Sequence, residues 1–224
     1  MRQRQRRTIP ARDQVTVLVH GLWMQGPLMR VMGKMLESRG FRTKAISYDF
    51  LNKTPAENAQ HLYDEIGQMG AKKINLVGHS LGGIVILHLL HRFPDLETDK
   101  VVLIGSPVKG SSVAQRVYDV PLLRPLLGKS VTSGLLGGAP TFALNRPLGI
   151  ITGSGKLGLS ALFYPSGEQS DGVVQECETI LENATDRISL PLSHSTMIFS
   201  RQCTEYVAQF LSTGRFRPYG QVSQ

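Results

Sequence analysis

The stretch Lys73-Ile74-Asn75-Leu76-Val77-Gly78-His79-Ser80-Leu81-Gly82-Gly83 decides how the rest of the chain is read. Lys72 to Val77 has the look of a buried strand, and Leu81 to Arg92 continues as an apolar run of helical length. Between them the chain has only a few residues in which to reverse. Gly78 and Gly82 answer that need, because side chains at either flank would collide with the neighbouring strand and helix. The turn lifts Ser80 clear of the carboxyl edge of a sheet, where open parallel sheets place ligands, with a helix N-terminus behind it. Ser80 is therefore the candidate nucleophile. A tight βα turn with an incidental serine is the plainer alternative. Phosphate-binding turns would need G-x-x-x-x-G-K-[ST] or G-x-G-x-x-G, and neither pattern occurs in this segment.

Working outward, the same rhythm repeats. Val15 to Val19 is a continuous β-branched and leucine run broken by His20-Gly21. From Pro27 to Arg39 apolar residues return at a helical period, and Gly40 suits the position past the helix end. A strand is expected over about Arg42 to Tyr48. Thr54-Pro55-Ala56-Glu57 then supplies an N-cap hydroxyl, a first-turn proline and a capping-box glutamate for a helix reaching about Met69. Val101 to Gly105 reads as a strand, as do Leu148 to Thr152 and Asp186 to Leu190. A last amphipathic helix is expected from about Thr196 to Leu211. The βαβαβαβ order implies right-handed crossovers onto one mostly parallel sheet flanked by helices.

The rhythm fails between Ser106 and Arg146. Pairs of leucines alternate there with proline and glycine, and an irregular connection of that length in a compact domain is commonly functional. A cap or lid at about 107–147 is the expectation, with an extra packed helical hairpin as the alternative. The domain reading is a basic segment at 1–12, one α/β domain at 13–213 and a tail at 214–224.

Composition bounds the class. The chain has 224 residues, 41% of them apolar and 19% charged, which disfavours a disordered or fibrous protein. The longest apolar run, Leu81 to Leu90, falls well short of the roughly 18 residues that a membrane span needs. The formal charge is +8, but Arg2, Arg4, Arg6, Arg7 and Arg12 all precede the first acid, Asp13. The excess is thus concentrated in a short head, read as a solvated tail rather than a nucleic-acid surface. No secretory signal pattern is visible and the two cysteines, Cys177 and Cys203, have no metal-type spacing, so a cytoplasmic location is expected.

His20-Gly21-Leu22-Trp23 after the first strand, together with Gly78-His79-Ser80-Leu81-Gly82-Gly83, resembles the α/β-hydrolase superfamily, nearest its lipase and esterase branch. The resemblance spans about Val15 to Leu211. It implies an α/β-hydrolase fold and a chain order of serine, then acid, then histidine. Of six histidines, His79 sits inside the turn, His61, His88 and His91 fall on helices, and His20 shapes a loop. His88 and His91, at i and i+3, could hold a metal, but a helix-surface or core role is preferred. His194, just past the final strand, is the expected general base. The acid should follow the penultimate strand, where Ser170-Asp171-Gly172-Val173-Val174 resembles the acid loop of bacterial lipases. Asp171 is the choice, over Asp186, Glu168 and Asp119. The oxyanion hole is expected from the backbone N–H groups of Leu81 and Leu22, with Trp23 the neighbour that could replace Leu22.

The implied reaction is acyl transfer to water, with no metal or organic cofactor. A carboxylic ester of the acyl or lipid type, taken as a small molecule, is the expected substrate of a lipase- or esterase-type serine hydrolase, with Trp23, Met24, Leu122 and Leu126 as candidate pocket residues. Acyl thioester hydrolysis or acyl transfer would use the same machinery, and an idle hydrolase fold serving as a binding protein is the remaining class. Transient contact with a lipid surface is also expected. No nucleic-acid partner is expected, and the oligomeric state is left open.

Overall fold

The computed structural model describes residues 14–141, 145–155 and 169–216. The arginine-rich segment 1–12, Glu168 and residues 217–224 of the tail lie outside the described residues. Among the described residues, six strands form one sheet: β1 (Gln14–Val19), β2 (Thr43–Ile46), β3 (Lys73–His79), β4 (Thr98–Ile104), β5 (Leu148–Gly153) and β6 (Asp186–Leu190). Their order across the sheet is β2-β1-β3-β4-β5-β6, and every pairing is parallel.

Period-two alternation along the strands divides the core between two faces. Val15, Val17, Ile74, Leu76, Val101 and Leu103 share one cluster with side chains of α2 (Pro55–Gly67) and α3 (Leu81–Arg92). Leu18, Val77, Val102, Ile104 and Ile151 turn to the opposite face. There they pack with α1 (Gly26–Glu37) and the last helix, α5 (Arg201–Thr213). A sheet covered on both sides explains why these strands read as unbroken apolar runs.

Local chemistry sets the helix ends. Thr54 and Glu57 form the reciprocal capping box at the start of α2. The last helix differs from expectation: residues 197–199 form a 3-10 turn, Ser200 adopts an extended backbone, and its hydroxyl accepts from the Cys203 N–H to start α5 at Arg201. That cap splits one amphipathic run into two elements. Cys177 is exposed and Cys203 is buried, and both thiols are free.

The connection from β4 to β5 carries α4 (Ser112–Asp119) and a 3-10 segment, Arg124–Val131, kinked at Gly128. Several hydrogen bonds fasten it to the body. Glu178 Oε1 accepts from the Ser112 N–H at 2.6 Å, His88 Nε2 donates to the Ser133 carbonyl at 2.7 Å, and the Lys129 N–H donates to the Leu51 carbonyl at 2.8 Å. His88 is thereby committed to packing.

Candidate active site

The turn after β3 places Ser80 at φ 53°, ψ −125°, a conformation that L residues occupy only at a cost of about 1–3 kcal/mol. Close packing holds it there. A Cβ on Gly82 would lie 2.3 Å from the Val19 carbonyl oxygen, and one on Gly78 would lie 2.7 Å from the backbone of Gly83. The Ser80 N–H donates to the Ile104 carbonyl at 2.9 Å. Its side chain makes no capping hydrogen bond to α3, whose first residue is Leu81.

Two other loops meet this turn at the carboxyl edge of the sheet. His194 follows β6, and its Nδ1 is 2.7 Å from Asp171 Oδ2. The His194 N–H also donates to the Asp171 carbonyl at 2.9 Å. Asp171 Oδ1 accepts from the N–H groups of Val173 at 3.0 Å and Val174 at 2.8 Å. One carboxylate oxygen thus shapes the Asp-Gly-x-Val turn while the other holds the imidazole. Both side chains are buried, Asp171 to 2% exposure. Asp186 begins β6 at the far edge of the sheet, where its carboxylate accepts from the Arg187 and Phe216 N–H groups. Asp119, at the end of α4, is exposed and bonded to Gln115.

The elbow histidine has a role that its position in the motif does not announce. His79 Nε2 donates to the His194 carbonyl at 3.0 Å, and the two rings lie 4.7 Å apart. Burial, followed by the neighbouring His194, pushes the His79 pKa down to about 3. A neutral imidazole therefore ties the turn of Ser80 to the loop of residue 194. Its Nδ1 is buried with no hydrogen-bond partner among the described residues.

The loop after β1 approaches from the other side. A Cβ on Gly21 would meet the Ser80 Cβ at 2.9 Å. His20 is fully buried, and burial lowers its pKa. Its Nε2 accepts from the Tyr48 N–H at 3.3 Å, so Nδ1 carries the proton and donates to the Gly21 carbonyl at 2.9 Å. The carbonyl of Gly21 and the N–H of Leu22 share one trans peptide. Holding the first turns the second away from His20. Trp23 follows at φ 56°, and its indole N–H donates to the Leu126 carbonyl at 2.8 Å.

These loops enclose a cavity of about 330 Å³. Ser80, His194, His79 and Leu22 border it, and so do Trp23 and Met24. Its roof comes from Val113, Ala114, Val117, Leu127 and Leu135, with Val173 and Val174 on a further side. Leu122 and Leu126 lie outside this lining, at 87% and 49% exposure on the outer surface of the connection. Leu127, next to Leu126 in the 3-10 segment, is the leucine that is buried and lines the cavity.

Gly105 is the site residue that the sequence hides. Its φ of +53° is combined with close approach: a Cβ there would lie 2.9 Å from Met197 Cε, 3.0 Å from Asp171 Oδ2 and 3.2 Å from His194 Nδ1. It read only as a strand end. A G-x-G-x-x-G spacing does occur at Gly153-Ser154-Gly155-Lys156-Leu157-Gly158, with residues 156–158 outside the described residues. The Ser154 and Gly155 N–H groups donate to the Leu190 and Leu192 carbonyls, so neither is offered to a phosphate.

A six-stranded parallel sheet, helices on both faces and a strained serine between β3 and α3 define the α/β-hydrolase class. The model of the alpha/beta hydrolase family matches residues 16–188, and the chain belongs to that family. The fold is similar to the mature form of a lipase from Bacillus licheniformis, with 20% identity, TM-score 0.73, and coverage of 88% of this chain and 91% of that one. It is also similar to an esterase from Exiguobacterium antarcticum (14% identity, TM-score 0.65, 89% and 92% covered). A pyrethroid hydrolase from Sphingobium faniae matches at 16% identity, TM-score 0.61, covering 89% and 98%. A comparison with curated protein sequences returned no match.

Proposed function

We propose that the protein hydrolyses carboxylic esters with an apolar acyl group, through an acyl-enzyme on Ser80. The observation that carries this reading is the Asp171–His194 hydrogen bond, on a loop tied to the turn of Ser80 and bordering the same cavity. In this mechanism His194 Nε2 takes the Ser80 hydroxyl proton as Oγ attacks the acyl carbonyl carbon. Negative charge then develops on the carbonyl oxygen beside the N–H groups of Leu22 and Leu81, each contributing about 3 kcal/mol to the transition state. Collapse expels the alcohol, which receives the proton from His194. Water then attacks the acyl-enzyme by the same route. Asp171 holds the imidazole in the tautomer that can accept from serine.

The cavity walls support an apolar acyl group. Val113, Val117, Leu127 and Leu135 face it from the 107–147 connection, which we read as a cap over the site. Labelling with a fluorophosphonate probe, followed by matched panels of acyl esters and acyl thioesters, tests the assignment. Stoichiometric labelling at Ser80 with preferential turnover of esters is expected. Turnover of thioesters alone would reassign the leaving group, and absence of labelling would end the serine-hydrolase reading.

Gly105→Ala provides an independent check on the acid–base pair. The added methyl must move Met197, the carboxylate or the imidazole, and alanine is strained at that φ. Turnover should fall on the order of a hundredfold, as expected for a displacement of catalytic groups by a fraction of an ångström to one ångström. The thermal midpoint should drop by a few degrees. Wild-type turnover at the lower midpoint would show that Met197 yields to the methyl and that Asp171 and His194 keep their places.

A further inference from the structure

The outer surface of the β4–β5 connection is apolar where a solvent-facing surface has no internal reason to be. Leu122 is 87% exposed, Trp23 60%, Leu126 49%, Val120 45% and Leu123 37%. They form a crest, because the Trp23 indole is bonded to the Leu126 carbonyl and the others precede Leu126 along one short segment. Trp23 also borders the cavity, so the crest lies beside its mouth. Exposed apolar groups collected in this way mark an interaction surface.

Charge selects the occupant. Residues 107–131 carry Lys109, Arg116, Arg124 and Lys129, all exposed, against Asp119, with Glu57 close to Lys129 from α2, so the surface keeps a net positive charge. Arg124 lies over the Tyr118 ring at 4.8 Å, between the crest and α4. In a two-fold dimer through this crest the same net-cationic surface would face itself. An anionic lipid surface instead attracts them, while the leucines and the tryptophan enter the headgroup boundary. Tryptophan is well suited to that depth.

We infer that this crest and its cationic collar dock the protein on anionic membranes, with the cavity mouth facing the bilayer. The docking rests on the surface of the connection and stands apart from the hydrolytic reading. Sedimentation with vesicles of phosphatidylcholine, with and without phosphatidylglycerol, tests it on the full chain and on Ser80→Ala. Both proteins should pellet with the anionic vesicles, at least tenfold more strongly than with the neutral ones, and salt should weaken the binding. Leu122→Glu should reduce binding at least tenfold with an unchanged thermal midpoint and unchanged turnover of a short soluble ester. Lys129→Glu should reduce it several-fold. Failure of the wild-type chain to pellet with anionic vesicles would overturn the inference. So would a dimer in sedimentation velocity that Leu122→Glu dissociates, or a large fall in that variant's midpoint, since the crest would then be covered by protein.

Discussion

Ser80→Ala should lower ester turnover on the order of a millionfold, the loss seen when the nucleophile is removed from a serine–histidine–aspartate set. The effect follows from what the substitution leaves intact. Alanine and serine are equally strained at φ 53°, and the packing that enforces the turn comes from Gly78, Gly82 and their backbone neighbours. The hydroxyl does not cap α3, so its loss removes no capping bond. The thermal midpoint should therefore stay within about two degrees of wild type, or rise slightly, because active-site groups are commonly held at a cost in stability. Leu22, Leu81 and the cavity remain, and substrate should still bind. A residual rate of roughly a thousandfold over the uncatalysed reaction is expected from them. Turnover of p-nitrophenyl esters read beside a calorimetric midpoint separates the outcomes. An undiminished rate would move the nucleophile elsewhere.

Much of the architecture could be read locally because the physics behind it is local. Strands covered on both faces show as apolar runs, Thr54 and Glu57 announce a helix start, and Gly78 to Gly82 force a turn of one kind. The turn at Asp171 was legible for the same reason, since aspartate before glycine makes its own turn by accepting from the Val173 and Val174 N–H groups. What stayed hidden depends on contacts between distant segments. His79 is tied to residue 194, Gly105 is pressed against Asp171 and His194, and Trp23 is bonded to Leu126. No period or spacing reports such contacts. The pocket residues divide along the same line. Trp23 and Met24 adjoin a loop whose place was set by the sheet, whereas Leu122 and Leu126 belong to an irregular connection in which Leu127 turns to the cavity instead.

Asp171→Asn should reduce turnover by about four orders of magnitude while leaving the fold nearly untouched. The asparagine carbonyl oxygen can occupy the place of Oδ1 and keep the bonds from the Val173 and Val174 N–H groups, so the turn survives. Its amide nitrogen then faces His194 Nδ1 in place of Oδ2. An amide N–H donates where the carboxylate accepted, so Nδ1 must become the acceptor and the imidazole proton moves to Nε2. That nitrogen can no longer take the proton of Ser80. The carboxylate's stabilisation of the imidazolium is lost as well. Asp171→Ala separates position from charge, because it also removes the acceptor of the buried Val174 N–H, at about 1–3 kcal/mol. Its midpoint should fall by several degrees more than that of the asparagine variant, with an equal or greater loss of turnover. If Asp171→Asn kept the wild-type rate, the orienting carboxylate would have to lie elsewhere. Asp186, tied at the far edge of the sheet by the Arg187 and Phe216 N–H groups, would need a loop rearrangement large enough to unfold that edge before it could serve.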